Sequence, residues 1–538
     1  MSRITYVETY WPRRLLHVDG QTLTSVERVG NATYGTFERP TYNILSYTWG
    51  RFESSAGEAI VIHNTPWKIP RIRPDHFTTS DFYRVINRVS QGCSHIWIDV
   101  ACIHQENEAI KLSEIGHQAA IFQGARCAFI WLSHCSVDGL EPLRQQIMYD
   151  EVPRFSTIMR KRTRYFQRSL QIFQHLFNDP WFSSLWTLQE AFLRPDATVL
   201  TKDASTLLYD SLGDDMWLEL LLEFFSDVYD IMQTLLRNSK SLKKSQTGKI
   251  FLAREIVKLI SDAGAKELHL SNGIQLYAIS TSRNPRDHKD KIYGIQQVFG
   301  TALGETARTW NGTRFTLEEL EDLLGDHIGI LSPIFSQMWI RIGDSQPKRS
   351  FSLSSRLTVP PYITDNLTRV SLDGHKSMGS ISFHKWFGHW FSGYLCDFST
   401  MCSYWKTARI HFSSKALERR PDYRIEYIHL DQTDRNQRAF PTALLQEGSL
   451  CGRPGELNAL ILAEYGIETR VFLLGKIISS DRVRHESSWT GILAYPVNDD
   501  GDIYWTRIGI CIWDVGDKEL ETKVEGLFLS KAYQLPLY

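Results

Sequence analysis

Residues 179–192 read DPWFSSLWTLQEAF and set the acidic side chain of Glu190 among Trp181, Phe182, Trp186 and Phe192. If the chain is helical from Ser183 onward, Trp186 and Glu190 are four positions apart and share a face, which lays a carboxylate beside an indole. Such an acid is either a fixed ion-pair partner or a reactive group, and core packing with a local ion pair is the commoner origin. Cys102 and His104 offer a thiol next to a base, but no third orienting group is evident. Cys93, His95, Cys102, His104 and His117 lack recognisable metal-ligand spacing, so no metal site is expected. No G-x-G-x-x-G or G-x-x-x-x-G-K-[ST] cradle occurs, which argues against a Rossmann redox cofactor and an ATP-driven switch.

The elements around these residues alternate between strand and helix. YNILSYTWG (42–50) is a short apolar strand ending in a glycine turn, and AIVIHNTPWKI (59–69) reads as two extended arms. SDFYRVINRVS (80–90) carries Phe82, Val85, Ile86 and Val89 at helical spacing, with Ser80 or Asp81 as its N-cap. SHIWIDVA (94–101) predicts a strand, residues 108–125 a helix, RCAFIWLS (126–133) a buried strand and ATVL (197–200) a further one. Strands separated by helices imply parallel pairing with right-handed crossovers, so 42–200 is expected to be one α/β, doubly wound domain. Residues 207–300 look mainly helical, through 216–236 and 250–264, with the basic 237–249 as a solvated loop. Strand-like segments at 469–479, 489–497 and 503–515, parted by turns such as NDDGD, predict an antiparallel sheet near the C-terminus.

Composition sets the outer bounds. With 538 residues, 42% hydrophobic and 22% charged, the chain can bury a large core divided among two or three domains. Sixty basic against 61 acidic residues give no global reason to expect nucleic acid or an anionic membrane. The basic run Arg160, Lys161, Arg162, Arg164 and Arg168, around Tyr165 and Phe166, reads as a solvated helix face rather than an RNA contact. The aromatic stretch 383–398 reads as buried by default, with a partner surface as its alternative. No signal-peptide core and no apolar run of roughly 18 residues occurs, so a cytoplasmic protein without a membrane span is expected. The eight cysteines contain no C-x-x-C pair and read as reduced thiols.

Three segments in order, YNILSYTWG, IWIDVACIHQ with the helix and IWLS strand that follow, and DPWFSSLWTLQEAF, resemble the signature blocks of the fungal heterokaryon-incompatibility (HET) domain. SRNPRDHKDKIYGIQQVFG (282–300) resembles a segment that often follows that domain, here split by an inserted His-Lys. The sequence departs from the family pattern at His104, where Asn is usual, at Ser133, where Gly is usual, and at Ser184, where Arg is usual. The last departure removes whatever charge partner that arginine supplies.

The resemblance implies a TIR/flavodoxin-like parallel sheet at 37–205 after an N-terminal extension (1–36), and the patterning adds a helical region (206–330) and a mixed, β-rich region (331–538). It also implies a role in fungal allorecognition and programmed cell death, with self-association through the HET domain and an incompatibility partner not identified by the sequence. HET domains are thought to be distant relatives of TIR domains, some of which cleave NAD with a glutamate in a W-C-L-x-E motif, and residues 186–190 keep the Trp to Glu spacing. Glu190 is therefore the expected catalytic acid, with NAD consumed as a substrate and no cofactor held. A carboxylate can stabilise the oxocarbenium-like ribose formed when nicotinamide leaves. Ligands of open α/β sheets bind beyond the carboxyl ends of the strands, which nominates Ser46, Tyr47, Trp49, Gly50 and Asp99 as cleft residues, with Trp49 and Trp186 as stacking surfaces. Asp99 also reads as a helix cap, and Tyr47 and Trp49 as core. The other reading of the whole chain is a non-enzymatic interaction module that signals by contact.

Overall fold

Eight strands form the N-terminal sheet: β1 (Arg14–Asp19), β2 (Thr22–Val29), β3 (Thr33–Tyr34), β4 (Phe37–Glu38), β5 (Asn43–Ser46), β6 (His95–Trp97), β7 (Ala128–Trp131) and β8 (Thr198–Leu200), in the order β4-β3-β2-β1-β6-β5-β7-β8. This computed structural model describes residues 10–149, 163–207, 215–237, 247–270, 273–280, 283, 285, 287–344, 349–354, 356–359, 375–384, 388–413, 426–433, 436–437, 454–465, 469–478, 487–515, 518–528 and 532–537. The chain divides into two compact units, Ile4–Phe315 and Thr316–Tyr538.

In the first unit β6, β5, β7 and β8 pair in parallel, as the strand and helix alternation predicts. The first of these strands in the chain, β5, lies between the second and the third. That order makes a topological switch point at the carboxyl ends of β5 and β7, where an open α/β sheet leaves a crevice. Residues 14–34, within the stretch 1–36 read from the sequence as an extension ahead of the domain, form strands β1 to β3 of the same sheet. β1 pairs antiparallel with both β2 and β6, so the sheet is mixed rather than wholly parallel. The fully buried Leu15 and Leu16 fasten β1 there.

Helix α1 (Thr79–Val89) buries Phe82, Val85, Ile86 and Val89, the predicted face. Its cap is Thr78, not Ser80 or Asp81. The Thr78 side chain accepts from the Asp81 backbone N–H, while Asp81 Oδ2 accepts from the Thr78 N–H at 3.0 Å, so Asp81 closes a capping box from the third helical position. The expected strand 94–101 is only His95–Trp97, because Asp99–Cys102 coils into a short helix, α2. The helix expected over 108–125 is two helices, α3 (Glu108–Ile115) and α4 (Gln118–Gly124). The Gln297 side chain occupies the break, donating to the Gly116 carbonyl at 2.8 Å and accepting from the Ala119 N–H at 3.0 Å. A Cβ on Gly116 would lie 2.3 Å from the Thr306 carbonyl oxygen, so the break also admits the neighbouring backbone.

Helices α5 (Val137–Tyr149), α6 (Thr163–Phe177) and α7 (Trp186–Leu193) lead to β8. Arg164 and Arg168 are exposed on α6, which buries Phe166, Ile172, Phe173 and Leu176 on its other side. This is the solvated face expected of the basic run, whose Arg160, Lys161 and Arg162 lie outside the described residues. Helices follow at Leu218–Arg237, Thr247–Ala263, Ala265–Leu270 and Gly273–Ser280, and most of the basic loop between the first two lies outside the described residues.

The second unit holds the β-rich region. Its 8-stranded sheet contains β11 (His375–Ser377), β12 (Ser380–His384), β13 (Gly388–Asp397), β14 (Glu426–Leu430), β15 (Arg470–Ile478), β16 (Ser487–Asp499), β17 (Asp502–Val515) and β18 (Ala532–Leu537); a separate hairpin is β9 (Ile340–Arg341) with β10 (Leu357–Thr358). The antiparallel pairing expected from the sequence is present. The pairing also closes on itself, since β15, β16, β17, β18 and β13 pair in turn and β13 returns to β15. Asp500 and Gly501, both at positive φ, make the two-residue turn between β16 and β17. Trp405, Trp489 and Trp513 anchor a core shared by the sheet and the helices Phe398–Ser413, Pro454–Tyr465 and Lys518–Phe528. Phe391, from the aromatic stretch 383–398, is fully buried.

Candidate functional site

β5 is a four-residue, wholly buried strand flanked by parallel neighbours, and it delivers Ser46 to the switch point. The buried Ser46 hydroxyl donates to Glu190 Oε2 at 2.5 Å. It accepts from the indole N–H of Trp181 at 2.8 Å. Trp181 is itself fixed in a 3-10 turn, Pro180–Ser183, capped by the fully buried Asp179, whose Oδ1 accepts from the Trp181 N–H and Oδ2 from the His134 N–H. The indole that serves Glu190 is thus Trp181, through Ser46. Trp186, the partner expected from helical spacing, is half-buried and turns its indole N–H to Asp290.

A second carboxylate adjoins the first. Asp99 Oδ2 accepts from the Trp49 indole at 2.5 Å, Oδ1 accepts from the Val100 N–H at 2.7 Å, and the Tyr47 hydroxyl donates to the same group. Asp99 occupies the first position of α2, where the helix dipole favours a negative charge, but the N-cap is Ile98. Tyr47 serves both readings made from the sequence: its ring packs on Trp131 and Phe77 while its hydroxyl reaches Asp99. Gly50 opens a 3-10 turn, Gly50–Phe52, and an added Cβ there would meet nothing within 4 Å.

Electrostatics distinguish the two acids from surface carboxylates. Burial pushes Glu190 up to about 8; the Ser46 hydroxyl opposes that rise, and the charge of Asp99 adds to it. Asp99 is likewise held above the usual carboxylate range by burial, against the hydrogen bonds from Trp49, Val100 and Tyr47. Asp290, which the sequence reading missed, is raised to about 6 by burial and by Asp287, and Lys111 counters both Asp290 and Asp99. Its signal was the acidic and basic alternation of 287–291, which matches a surface loop equally well.

The other candidate groups separate. Cys102 is fully buried, its thiol pushed up to about 12 and directed at the Ile96 carbonyl, whereas His104 Nδ1 accepts backbone N–H groups of Glu106 and Asn107. A buried neutral thiol is no nucleophile. Among the described residues no three His, Cys, Asp or Glu side chains are grouped to hold a metal ion. Among them also, no helix is long and apolar enough to cross a membrane.

The family model described as Heterokaryon incompatibility protein (HET) matches residues 42–190. The chain carries a HET domain. No curated protein and no solved structure gives a significant match to it. The matched span begins at the entry to β5 and ends on Glu190, so it encloses the Ser46 to Glu190 contact. Ser184, one of the residues that depart from the family resemblance, lies between two arginine contacts. Arg283, fully enclosed by protein, donates to the Ser184 carbonyl and to the Ala263 carbonyl, and Arg51 donates to the Pro180 carbonyl and Ser183 Oγ, both at 2.7 Å. Two arginines from outside the third block thus hold the backbone on either side of Ser184.

Because the folded state raises Glu190 above its unfolded value, the stability it contributes is complete below about pH 4.5 and is lost as pH rises through about 8. Glu190→Gln in the HET domain is therefore expected to be nearly neutral at pH 5 and stabilising by on the order of 1–3 kcal/mol at pH 8.5. Thermal unfolding of the two proteins at both pH values measures this.

Proposed function

We propose that the HET domain hydrolyses the bond between nicotinamide and ribose in NAD, with Glu190 as the catalytic carboxylate. Carrying this reading is the position of Glu190, held by Ser46 at the carboxyl end of β5 and beside Asp99. Bond cleavage sends the glycosidic electron pair to the nicotinamide nitrogen, which departs as a neutral base and needs no acid. The ribosyl cation left behind is stabilised by the ionised Glu190 and captured by water, giving ADP-ribose, nicotinamide and one proton. Two neighbouring carboxylates favour a cationic ring and a developing ribosyl cation over a neutral ligand. Trp49 offers the stacking wall, its N–H already committed to Asp99. Self-association through the HET domain would complete the site, the other regions would restrain it, and NAD loss would be the signal of incompatibility and cell death in the cytoplasm.

Catalysis requires the carboxylate form, and that form is the minority below about pH 8 in the unliganded protein. The expected result with purified full-length chain is release of nicotinamide and ADP-ribose, with kcat/KM rising through neutrality and levelling above about pH 8. An assembled protein that leaves NAD intact for hours across pH 6–9 overturns the reading.

A further inference from the structure

We infer that Ser46 is a positioning residue for Glu190 rather than a ligand of the substrate, its hydroxyl locked between the Trp181 indole and the Glu190 carboxylate; this rests on the NAD-cleaving reading of Glu190 only for its consequence in catalysis.

With Glu190 ionised, the geometry leaves the hydroxyl one orientation. An indole N–H can only donate, so the Trp181 contact at 2.8 Å takes a lone pair of Ser46 Oγ. The single proton of Ser46 is then directed along the 2.5 Å contact to Glu190 Oε2. Both Trp181 and Ser46 are buried, at 1% and 5% exposure, so solvent does not compete for the bond between them, while Glu190 itself is half-buried. Trp181 is pinned in turn by Asp179, which caps its turn and also takes the His134 N–H. The chain from Asp179 through Trp181 and Ser46 fixes Oε2 and leaves Oε1 as the oxygen free to face the ribose. A hydroxyl already donating to one partner and accepting from another has little left to offer a substrate.

Donation to the carboxylate favours its ionised form, against burial and against Asp99. Other charged or titratable groups around α7 include Tyr47 on the Asp99 side, Asp290 at Trp186, with Lys111 near it, Arg283 beneath Ser184, Arg51 at Ser183, Arg194 with Asp196 at the C-cap, and Lys266, Glu267 and His269 on the packed helix Ala265–Leu270. None of them donates to Oε2.

The test is a pH titration of the buried carboxyl group by infrared difference spectroscopy in the full-length chain, with Glu190→Gln identifying the Glu190 band. Ser46→Ala is expected to move the Glu190 midpoint upward by about one pH unit or more, Ser46→Thr to restore it, and Trp181→Phe to move it upward by less. With NAD as substrate, the rising limb of the rate profile should move with the midpoint, and kcat at pH 7 should fall about tenfold with KM little changed. A midpoint unmoved in both Ser46→Ala and Trp181→Phe overturns the inference, as does a raised KM with the midpoint unmoved. If Ser46→Ala fails to fold, Trp181→Phe decides. Because the titration needs no turnover, a wild type inert toward NAD would remove the proposed activity while the positioning role was still decided.

Discussion

Glu190→Gln is expected to lower NAD cleavage roughly a thousandfold while leaving the fold intact, since removing one preorganised electrostatic stabiliser of a transition state costs about 10²–10³ in kcat. Gln is nearly isosteric with Glu and can still accept from Ser46, so the contact at 2.5 Å survives without its charge. The same substitution is expected to stabilise the protein at alkaline pH, so a loss of activity could not be ascribed to unfolding. A carboxylate held out of its preferred ionisation at the expense of stability is the pattern of a functional group. In yeast, wild type should deplete NAD before viability falls, and Glu190→Gln at matched protein level should do neither. Equal killing by both variants without early NAD loss would assign the HET domain to the non-enzymatic class, signalling by contact.

In the second unit the largest effect is expected from Asp431→Ala. Arg507 Nε and Asp431 Oδ2 are 3.2 Å apart with side chains 0% and 2% exposed. Arg507 lies over the Trp339 ring at 3.8 Å, donates to Gln337 Oε1 at 2.8 Å and also to the Trp339 carbonyl, while Asp431 Oδ1 accepts from the Arg341 N–H at 2.9 Å. Removing the carboxylate strands a guanidinium whose proton affinity is already lowered by burial and, less, by the neighbouring Arg341. Breaking such a pair from one side costs about 3–5 kcal/mol, whereas replacing both partners with apolar residues of similar volume is often close to neutral. Urea unfolding followed by tryptophan fluorescence should show an early transition in Asp431→Ala that the Asp431→Leu/Arg507→Met double variant largely reverses. A shift below about 1 kcal/mol in the single variant would mean that water replaces the lost partner.

Local order was legible wherever one element settles its own conformation. The spacing of Phe82, Val85, Ile86 and Val89 marked α1, and the Asp-Gly turn at 500–501 marked the β16 to β17 hairpin. Strand and helix alternation over 42–200 gave the parallel pairing, because parallel neighbours need a crossover. Element ends were less legible: Thr78 lies outside the apolar repeat that located α1, and the break at Gly116 answers to Gln297, 181 positions away.

The sequence by itself determined that Glu190 stands in an aromatic-rich helical segment closing the HET-like stretch of an α/β domain, and that Ser46 and Asp99 lie at strand ends of its sheet. Only the tertiary structure decided which indole serves the acid. Helical periodicity relates Trp186 to Glu190 because both are on α7, but it is silent on Trp181, whose direction is set by a 3-10 turn and a buried cap. The Ser46 to Glu190 contact spans 144 positions and the Trp181 to Ser46 contact 135. Such contacts arise from strand order and crossovers, which place the carboxyl end of β5 against α7. The ionisation of Glu190 was equally out of reach, since desolvation belongs to the packed environment and not to the residue.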